Sequence, residues 1–198
     1  FELDAAILFS DILTIPDSFG LGVEFIEKEG PVFRNPISNS TDIKNLNHFD
    51  PESLDYVYKA VNNIKSSLPE EIPLIGFCGS PWTLAAYSIE GRSSKDFEKT
   101  LGFLESNQKD VHDLLIKYTD ACFLYLRKQV QSGADVIQIF DSWANLLTKE
   151  DLIEFSFNYI NSLISALKLD PITKNIPVII FARNPKCNIE ELINTSAD

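Results

Sequence analysis

The chain has 198 residues, 44% of them hydrophobic, which is enough apolar material for one domain with its own core. Its 17 Lys and Arg against 29 Asp and Glu give a net charge of −12, which argues against nucleic acid and anionic membranes as partners. No apolar run approaches the roughly 20 residues of a membrane span and no signal peptide is visible, so we expect a cytoplasmic protein.

The three cysteines, Cys78, Cys122 and Cys187, are far apart and form no Cys-x-x-Cys pair. We therefore expect reduced thiols and no metal site, because the usual zinc-ligand spacing is missing. Met is absent, even at position 1, so we expect an internal piece of a longer protein. No linker or repeat divides residues 1–198, and we predict one incomplete domain.

The first predicted strand is the continuous apolar run over residues 5–9, a pattern typical of a strand buried on both faces. It ends at Ser10-Asp11, and a carboxylate in this place is notable because Asp is rarely buried without a partner. Residues 12–36 are rich in Gly and Pro, and a stretch this long without periodicity is more often functional than idle. We predict a short helix or loop over residues 17–24 and an extended piece over residues 31–33.

The next predicted element is a helix that begins at Asp50 and Pro51, a capping residue followed by a first-turn proline. Its apolar residues recur at helical spacing, at positions 54, 57, 58, 61 and 64. A buried strand then ends at Phe77. Gly79 and Ser80 form a tight turn in which glycine allows an unusual backbone angle or a close approach.

Residues 76–91 organise the rest of the chain, because the turn leads directly into a helix that begins at Pro81 and ends at Gly91. This corner carries Trp82 and Tyr87 past the carboxyl end of the strand, where α/β folds bind their ligands. Further helices are predicted over residues 95–103 and 108–132. His112 lies beside the apolar stripe of the second of these, and we assign it no role.

Two more buried strands are predicted, over residues 136–140 and 176–181, with a helix from the capping residue Thr148 between them. Another helix begins at residue 188. Because strands alternate with helices, we expect an α/β fold with a parallel sheet. The strands are followed by polar or turn-forming residues, namely Asp11, Gly79, Ser142 and Arg183. This pattern is typical of a (β/α)₈ barrel, and a doubly wound sheet is the alternative that the pattern alone leaves open.

Three stretches resemble the uroporphyrinogen decarboxylase family. They are Gly-Phe-Cys-Gly-Ser-Pro-Trp-Thr-Leu-Ala-Ala-Tyr-Ser-Ile-Glu-Gly at residues 76–91, Leu-Asp-Ala-Ala-Ile-Leu-Phe-Ser-Asp-Ile-Leu at residues 3–13, and Ala-Asp-Val-Ile-Gln-Ile-Phe-Asp-Ser-Trp at residues 134–143. The resemblance implies a (β/α)₈ TIM barrel, about half of it present here. It also implies a homodimer that uses no cofactor. The implied reaction removes CO₂ from the four acetate side chains of uroporphyrinogen III, a tetrapyrrole of heme biosynthesis, to give coproporphyrinogen III.

The resemblance also implies roles for six residues. Asp11 would be catalytic and bind the pyrrole nitrogens, stabilising the positive charge that forms when a pyrrole carbon is protonated. Tyr87 and Ser142 would donate hydrogen bonds to substrate carboxylates. Apolar walls against the macrocycle would come from Ile7, Phe77 and Phe140. Without the resemblance, Asp11 would be interpreted as a loop or capping residue and Tyr87 as a core or rim residue. Ser142 would be interpreted as a turn residue, and the three apolar residues as strand core.

Some features depart from the family. Its arginine-rich stretch, which binds the substrate's carboxylates, would precede Phe1, and its late histidine would follow Asp198, so we expect the piece alone to be inactive. Arg183 stands where the family has a small-residue turn, and we interpret it as structural or as an ion-pair partner. Two alternatives stay open: a corrinoid- or thiol-dependent methyltransferase of the same superfamily, with zinc ligands outside this piece, or a non-enzymatic binding module.

Overall fold

The computed structural model describes residues 3–8, 10–27, 29–187 and 189–198. A parallel sheet of four strands lies at its centre, in the order β1, β4, β5, β6, and β2 and β3 form a separate antiparallel hairpin. The strands are β1 (Ala6–Ile7), β2 (Val23–Ile26), β3 (Gly30–Phe33), β4 (Leu74–Gly79), β5 (Val136–Asp141) and β6 (Val178–Ala182).

The helices connect these strands. They are α1 (Thr14–Pro16), α2 (Ser40–Lys44), α3 (Asp55–Ser67), α4 (Pro81–Glu90), α5 (Glu98–Ser106), α6 (Gln108–Gln131), α7 (Lys149–Asp151), α8 (Asn158–Leu169) and α9 (Ile189–Ile193). A wider π-helical segment, Leu152–Phe157, joins α7 to α8 without a break in the helical backbone. The predicted alternation of strands and helices is thus confirmed.

The corner between β4 and α4 forms as its sequence predicts. Ser80 accepts a hydrogen bond from the N–H of Thr83 at 3.0 Å and caps α4, and Pro81 occupies the first turn. Gly91 ends the helix with φ 82°. Gly79 is needed for a close approach, because a Cβ at this position would lie 2.8 Å from Cδ2 of Leu84.

The hydrophobic core lies between the sheet and its helices. The apolar face of α6 is fully buried there, as its stripe predicts, and it packs against β4 and α4. Its buried apolar residues are Val111, Leu114, Leu115, Tyr118, Ala121, Cys122, Tyr125 and Leu126.

The other face of the sheet is open. Ile7 is 48% exposed, Ile179 41% and Phe181 45%, so the expectation that β1 and β6 are buried on both faces is wrong for this side. A doubly wound sheet carries helices on both faces, whereas a barrel carries them only outside. The open face corresponds to the interior of an incomplete (β/α)₈ barrel.

Two local predictions also need correction. The hairpin of β2 and β3 was predicted only as a loop or short helix and one extended piece, because its turn residues gave no clear alternation. Helix α5 begins at Glu98 rather than at residue 95, since Phe97 before it has a left-handed φ of 49°. Of the strand predicted over residues 5–9, Ala6 and Ile7 are paired, and Phe9 lies outside the described residues.

Candidate active site

The site lies at the carboxyl ends of β1, β4 and β5. Among the described residues, β1 is in register with β4 at Ala6 with Leu74 and at Ile7 with Ile75, and the N–H of Leu8 donates to the carbonyl of Ile75 at 3.2 Å. On β4, Phe77 is in register with Gln138 of β5, while its backbone groups bond a side chain of α6: Gln129 accepts from the N–H of Phe77 at 3.0 Å and donates to its carbonyl at 2.9 Å. Both polar groups of the Phe77 backbone are therefore paired.

Gly76 makes room for this amide. A Cβ at position 76 would lie 2.6 Å from Oε1 of Gln129, which is shorter than any ordinary contact. The sequence pattern gave no sign of the pair, since Gln129 lies 52 residues from Phe77 along the chain.

A cavity of about 220 Å³ lies beside the carboxyl ends of β1, β4 and β5. Four of the residues predicted to contact a ligand line it, namely Ile7, Phe77, Phe140 and Ser142. The rings of Phe77 and Phe140 meet edge to face with centroids 5.5 Å apart. Leu8, Ser10 and Ile12 complete the lining, so the wall is mainly apolar with two hydroxyl groups.

Asp11 lies in the loop after β1, between two residues that line the cavity. It is half-buried, and its Oδ1 accepts from the N–H of Leu13 at 2.8 Å. Across the described part of the chain this is the only hydrogen bond of its side chain, and it makes no ion pair. The carboxylate thus keeps most of its capacity to accept hydrogen bonds from a ligand.

Tyr87 approaches from α4. Its ring contacts those of Phe97 and Trp143, with centroids 5.8 Å and 5.7 Å away. Burial raises the pKa of Tyr87, the negative charge of Asp11 acts in the same direction, and Arg183 opposes it. The hydroxyl is therefore protonated at neutral pH, and both charged groups lie within its electrostatic reach.

Asp141 is a second aspartate at this edge of the sheet, and the sequence analysis gave it no role. It is fully buried, and three hydroxyl groups donate to it: Ser80 at 2.8 Å, Thr83 at 3.0 Å and Ser156 at 2.5 Å. Burial raises its pKa, and these hydroxyls act against that rise. The signal that drew attention to Asp11, a carboxylate directly after an apolar strand, was equally present here.

Two other residues that the sequence singled out support the structure. Trp82 is fully buried, and its Nε1 donates to the carbonyl of Trp143 at 3.0 Å, so it holds the end of β5 rather than facing the cavity. His112 hydrogen-bonds the hydroxyl of Tyr159 at 2.6 Å and stacks on Phe155, which joins α6 to the helix after β5. Its contacts agree with the absence of an assigned role.

Arg183 follows β6. Its Cζ lies 5.7 Å from the centroid of the Trp143 ring, in a cation–π arrangement. Of the two interpretations of Arg183, structural residue or ion-pair partner, the stacking on Trp143 agrees with the first, and the described ranges show no ion pair of its side chain.

The described residues lack both a metal cluster and a membrane-spanning helix. They contain no group of three or more His, Cys, Asp or Glu side chains placed to hold a metal ion. None of their helices is long and apolar enough to cross a membrane.

The chain was compared with known proteins. The family model described as "Uroporphyrinogen decarboxylase (URO-D)" matches residues 1–198. Proteins named uroporphyrinogen decarboxylase from Acinetobacter baumannii (strain SDF) and Acinetobacter baylyi are 45% and 46% identical over 199 aligned residues, covering 100% of this chain and 56% of each relative. The chain thus spans about half the length of the curated relatives it matches.

A solved structure gives a likeness at the level of the fold. A methyltransferase from Methanosarcina mazei superposes with a TM-score of 0.67 over 92% of this chain and 52% of that one. The two sequences are 16% identical, so this likeness supports the incomplete barrel and carries nothing about the reaction.

Proposed function

This chain belongs to the uroporphyrinogen decarboxylase family, and we propose that it supplies part of an active site that decarboxylates the four acetate side chains of uroporphyrinogen III to give coproporphyrinogen III. The observation that carries the proposal is the carboxylate of Asp11 beside an apolar cavity, with one backbone donor and no ion pair within the described residues. A half-buried carboxylate is stabilised by donors, and the inward-pointing N–H groups of a tetrapyrrole are such donors.

The shape of the cavity supports a flat, largely apolar ligand face. Phe77, Phe140 and Ile7 present ring faces and edges and a branched side chain to the same opening. At about 220 Å³ the opening accepts one face of a macrocycle rather than the whole molecule. In this arrangement the carboxyl groups of the substrate lie around its rim, where Ser142 and Tyr87 donate hydrogen bonds to them.

In the proposed reaction, a proton adds to a pyrrole ring carbon and leaves positive charge on the ring. Breaking the bond between the acetate methylene and its carboxylate releases CO₂, and the electron pair of that bond neutralises the ring. A proton then adds to the exocyclic methylene carbon to form the methyl group, and the ring carbon loses the proton that it gained, so the neutral pyrrole is restored. The negative charge of Asp11 stabilises the cationic state that precedes the loss of CO₂, and fixed charges aimed at developing charge are often the largest catalytic contribution. We propose no metal or organic cofactor.

The test uses the protein expressed from its complete reading frame, with Asp11→Asn as the variant. Asn keeps the size of the side chain and its bond to Leu13 but removes the charge. We expect kcat to fall on the order of 100- to 1000-fold with a much smaller change in substrate affinity. Products are separated as oxidised porphyrins. Asp4→Asn, the same change at an exposed position before β1, is the matched control and leaves kcat unchanged.

Equal losses of kcat and affinity in Asp11→Asn would mean that Asp11 only positions the substrate. A full-length protein that binds stoichiometric zinc and shows no decarboxylation would favour the methyltransferase alternative. One that binds porphyrin without turnover would favour the binding module.

Two further properties complete the proposal. We propose a homodimer in the cytoplasm, and support for both comes from the family resemblance. Light scattering of the full-length protein tests the dimer, and a mass equal to one subunit would contradict it. Fractionation of cells that express the protein tests the location.

A further inference from the structure

The pairing of β5 with β6 places Arg183 beside Ser142. Phe140 is in register with Phe181 and Asp141 with Ala182, and the N–H of Arg183 donates to the carbonyl of Asp141 at 3.0 Å. This bond closes the last pair of the ladder, Asp141 with Ala182, so Ser142 and Arg183 are the residues that directly follow that pair on the two strands.

The contacts of these residues place them at the same end of the sheet. Ser142 lines the cavity together with Phe140, and the rings of Phe140 and Phe181 contact each other with centroids 5.8 Å apart. The guanidinium of Arg183 lies over the ring of Trp143, the residue after Ser142. Arg183 and Ser142 thus lie side by side at the carboxyl end of the sheet.

The charge of Arg183 is held in place and available. Its guanidinium stacks on Trp143, whose ring also contacts Tyr87, and its positive charge reaches the Tyr87 hydroxyl. No acidic side chain in the described ranges pairs with it, although the chain has 29 Asp and Glu against 17 Lys and Arg. Stacking occupies the face of a guanidinium and leaves its N–H edge free to donate.

We propose that Arg183 and Ser142 form one carboxylate subsite, in which the guanidinium and the hydroxyl together receive a side-chain carboxylate of the substrate. The inference rests on the proposed function for the identity of the ligand. Its chemistry is that of any planar carboxylate, since the N–H groups of arginine match both oxygens at once. In the sheet order, β5 and β6, which precede Ser142 and Arg183, lie on the far side of β4 from β1, whose following loop contains Asp11, so the macrocycle lies between its two anchors.

The experiment measures binding of uroporphyrin, the stable oxidised form that keeps the carboxylates, to the full-length protein by porphyrin fluorescence. We expect Arg183→Gln to raise Kd on the order of tenfold, as for the loss of one hydrogen-bonded charge at a partly exposed site. Arg183→Lys keeps the charge without the paired N–H groups, so its Kd should lie between those of wild type and Arg183→Gln. The control is Lys174→Gln, which removes the same charge at an exposed position before the amino end of β6.

A structural role for Arg183 would give a different result. The carboxylate subsite predicts a raised KM with kcat within about twofold, an unchanged melting temperature and a weaker dependence of Kd on salt. Equal affinities of Arg183→Gln and wild type, or a lowered melting temperature with kcat falling as KM rises, would overturn it. Turnover of uroporphyrinogen by the wild type is measured separately. If the wild type shows no turnover but binds uroporphyrin in a way that depends on Arg183, the proposed function is refuted and the subsite is not.

Discussion

The two seams on either side of β4 differ in how far they stay closed. With β5, β4 is in register over five pairs, from Ile75 with Val136 to Gly79 with Phe140. With β1, among the described residues, it is in register over two pairs, beyond which the side chain of Gln129 bonds the backbone of Phe77; we call this shorter seam the open seam. An aspartate stands at the carboxyl end of the far strand of each seam, yet Asp141 is buried under three hydroxyl donors while Asp11 has a single backbone donor within the described residues.

The comparison shows that the neighbours of a carboxylate, rather than its place after a strand, decide its role. At the closed seam, α4 and the π-helical segment bring hydroxyls onto Asp141, and its side chain holds three elements together. At the open seam the loop after β1 borders the apolar cavity, so Asp11, which has one backbone donor within the described residues, can accept further hydrogen bonds from a ligand. The predictions below separate the two roles.

The largest effect on stability is expected for Asp141→Ala. It leaves three buried hydroxyls without their acceptor, so we expect the free energy of unfolding to fall by about 3–5 kcal/mol. Asp11→Ala, at the open seam, should cost about 1 kcal/mol or less because its site is half solvated. Urea unfolding of the purified protein measures both. Similar losses in the two variants would contradict the distinction between the seams.

The stability that Asp141 provides should also depend on pH. Because burial raises its pKa in the folded state, the native protein binds this proton more tightly than the unfolded chain does. The contribution of Asp141 to stability is then complete below the pKa of its carboxyl group in the unfolded chain, about 4. It is lost as pH rises through the pKa of that group in the folded protein. The stability advantage of wild type over Asp141→Asn should therefore shrink from pH 4 upwards. An advantage that grows over this range would mean that the hydroxyl donors outweigh burial.

A smaller loss of stability is expected at the open seam itself. Gln129→Leu removes both partners of the Phe77 backbone, and we expect a loss of about 2–3 kcal/mol together with a raised KM, since Phe77 lines the cavity. Gln131→Leu, two residues along α6 at an exposed position, is the control and should change stability by less than about 0.5 kcal/mol. Unchanged stability in Gln129→Leu would show that β1 or water closes the gap.

The smallest effect is expected for Tyr87→Phe, which removes the hydroxyl that we propose donates to a substrate carboxylate. KM should rise about three- to tenfold, as for one hydrogen bond. Because the pKa of Tyr87 is raised above its ordinary value, the ratio of the two KM values should stay constant from pH 7 to 9. Tyr159→Phe, on α8 and bonded to His112, is the control. A ratio that falls across this range would mean that the hydroxyl ionises.

The sequence predicted most of the sheet and the members of one wall. Continuous apolar runs predicted the strands, and the capping residues around Pro81 and Gly91 predicted α4, because both signals are local. The resemblance to a known family then selected Ile7, Phe77, Phe140 and Ser142, which the structure brings to one cavity.

Features that depend on distant parts of the chain could not be predicted in this way. The amide of Gln129 meets Phe77 from 52 residues away, and only Gly76, whose side chain would block it, hints at the contact. Arg183 stacks on Trp143 through the register of β5 and β6, which no local pattern specifies. The open face of the sheet was missed for a related reason, since an apolar run does not show whether anything covers it.

The most direct test of the open seam is a crystal structure of the full-length protein with coproporphyrinogen bound. The account predicts that the carboxylate of Asp11 lies within about 2.7–3.2 Å of the pyrrole nitrogens, with the macrocycle against Phe77 and Phe140. A macrocycle bound elsewhere, with Asp11 still bonded only to the N–H of Leu13, would contradict it.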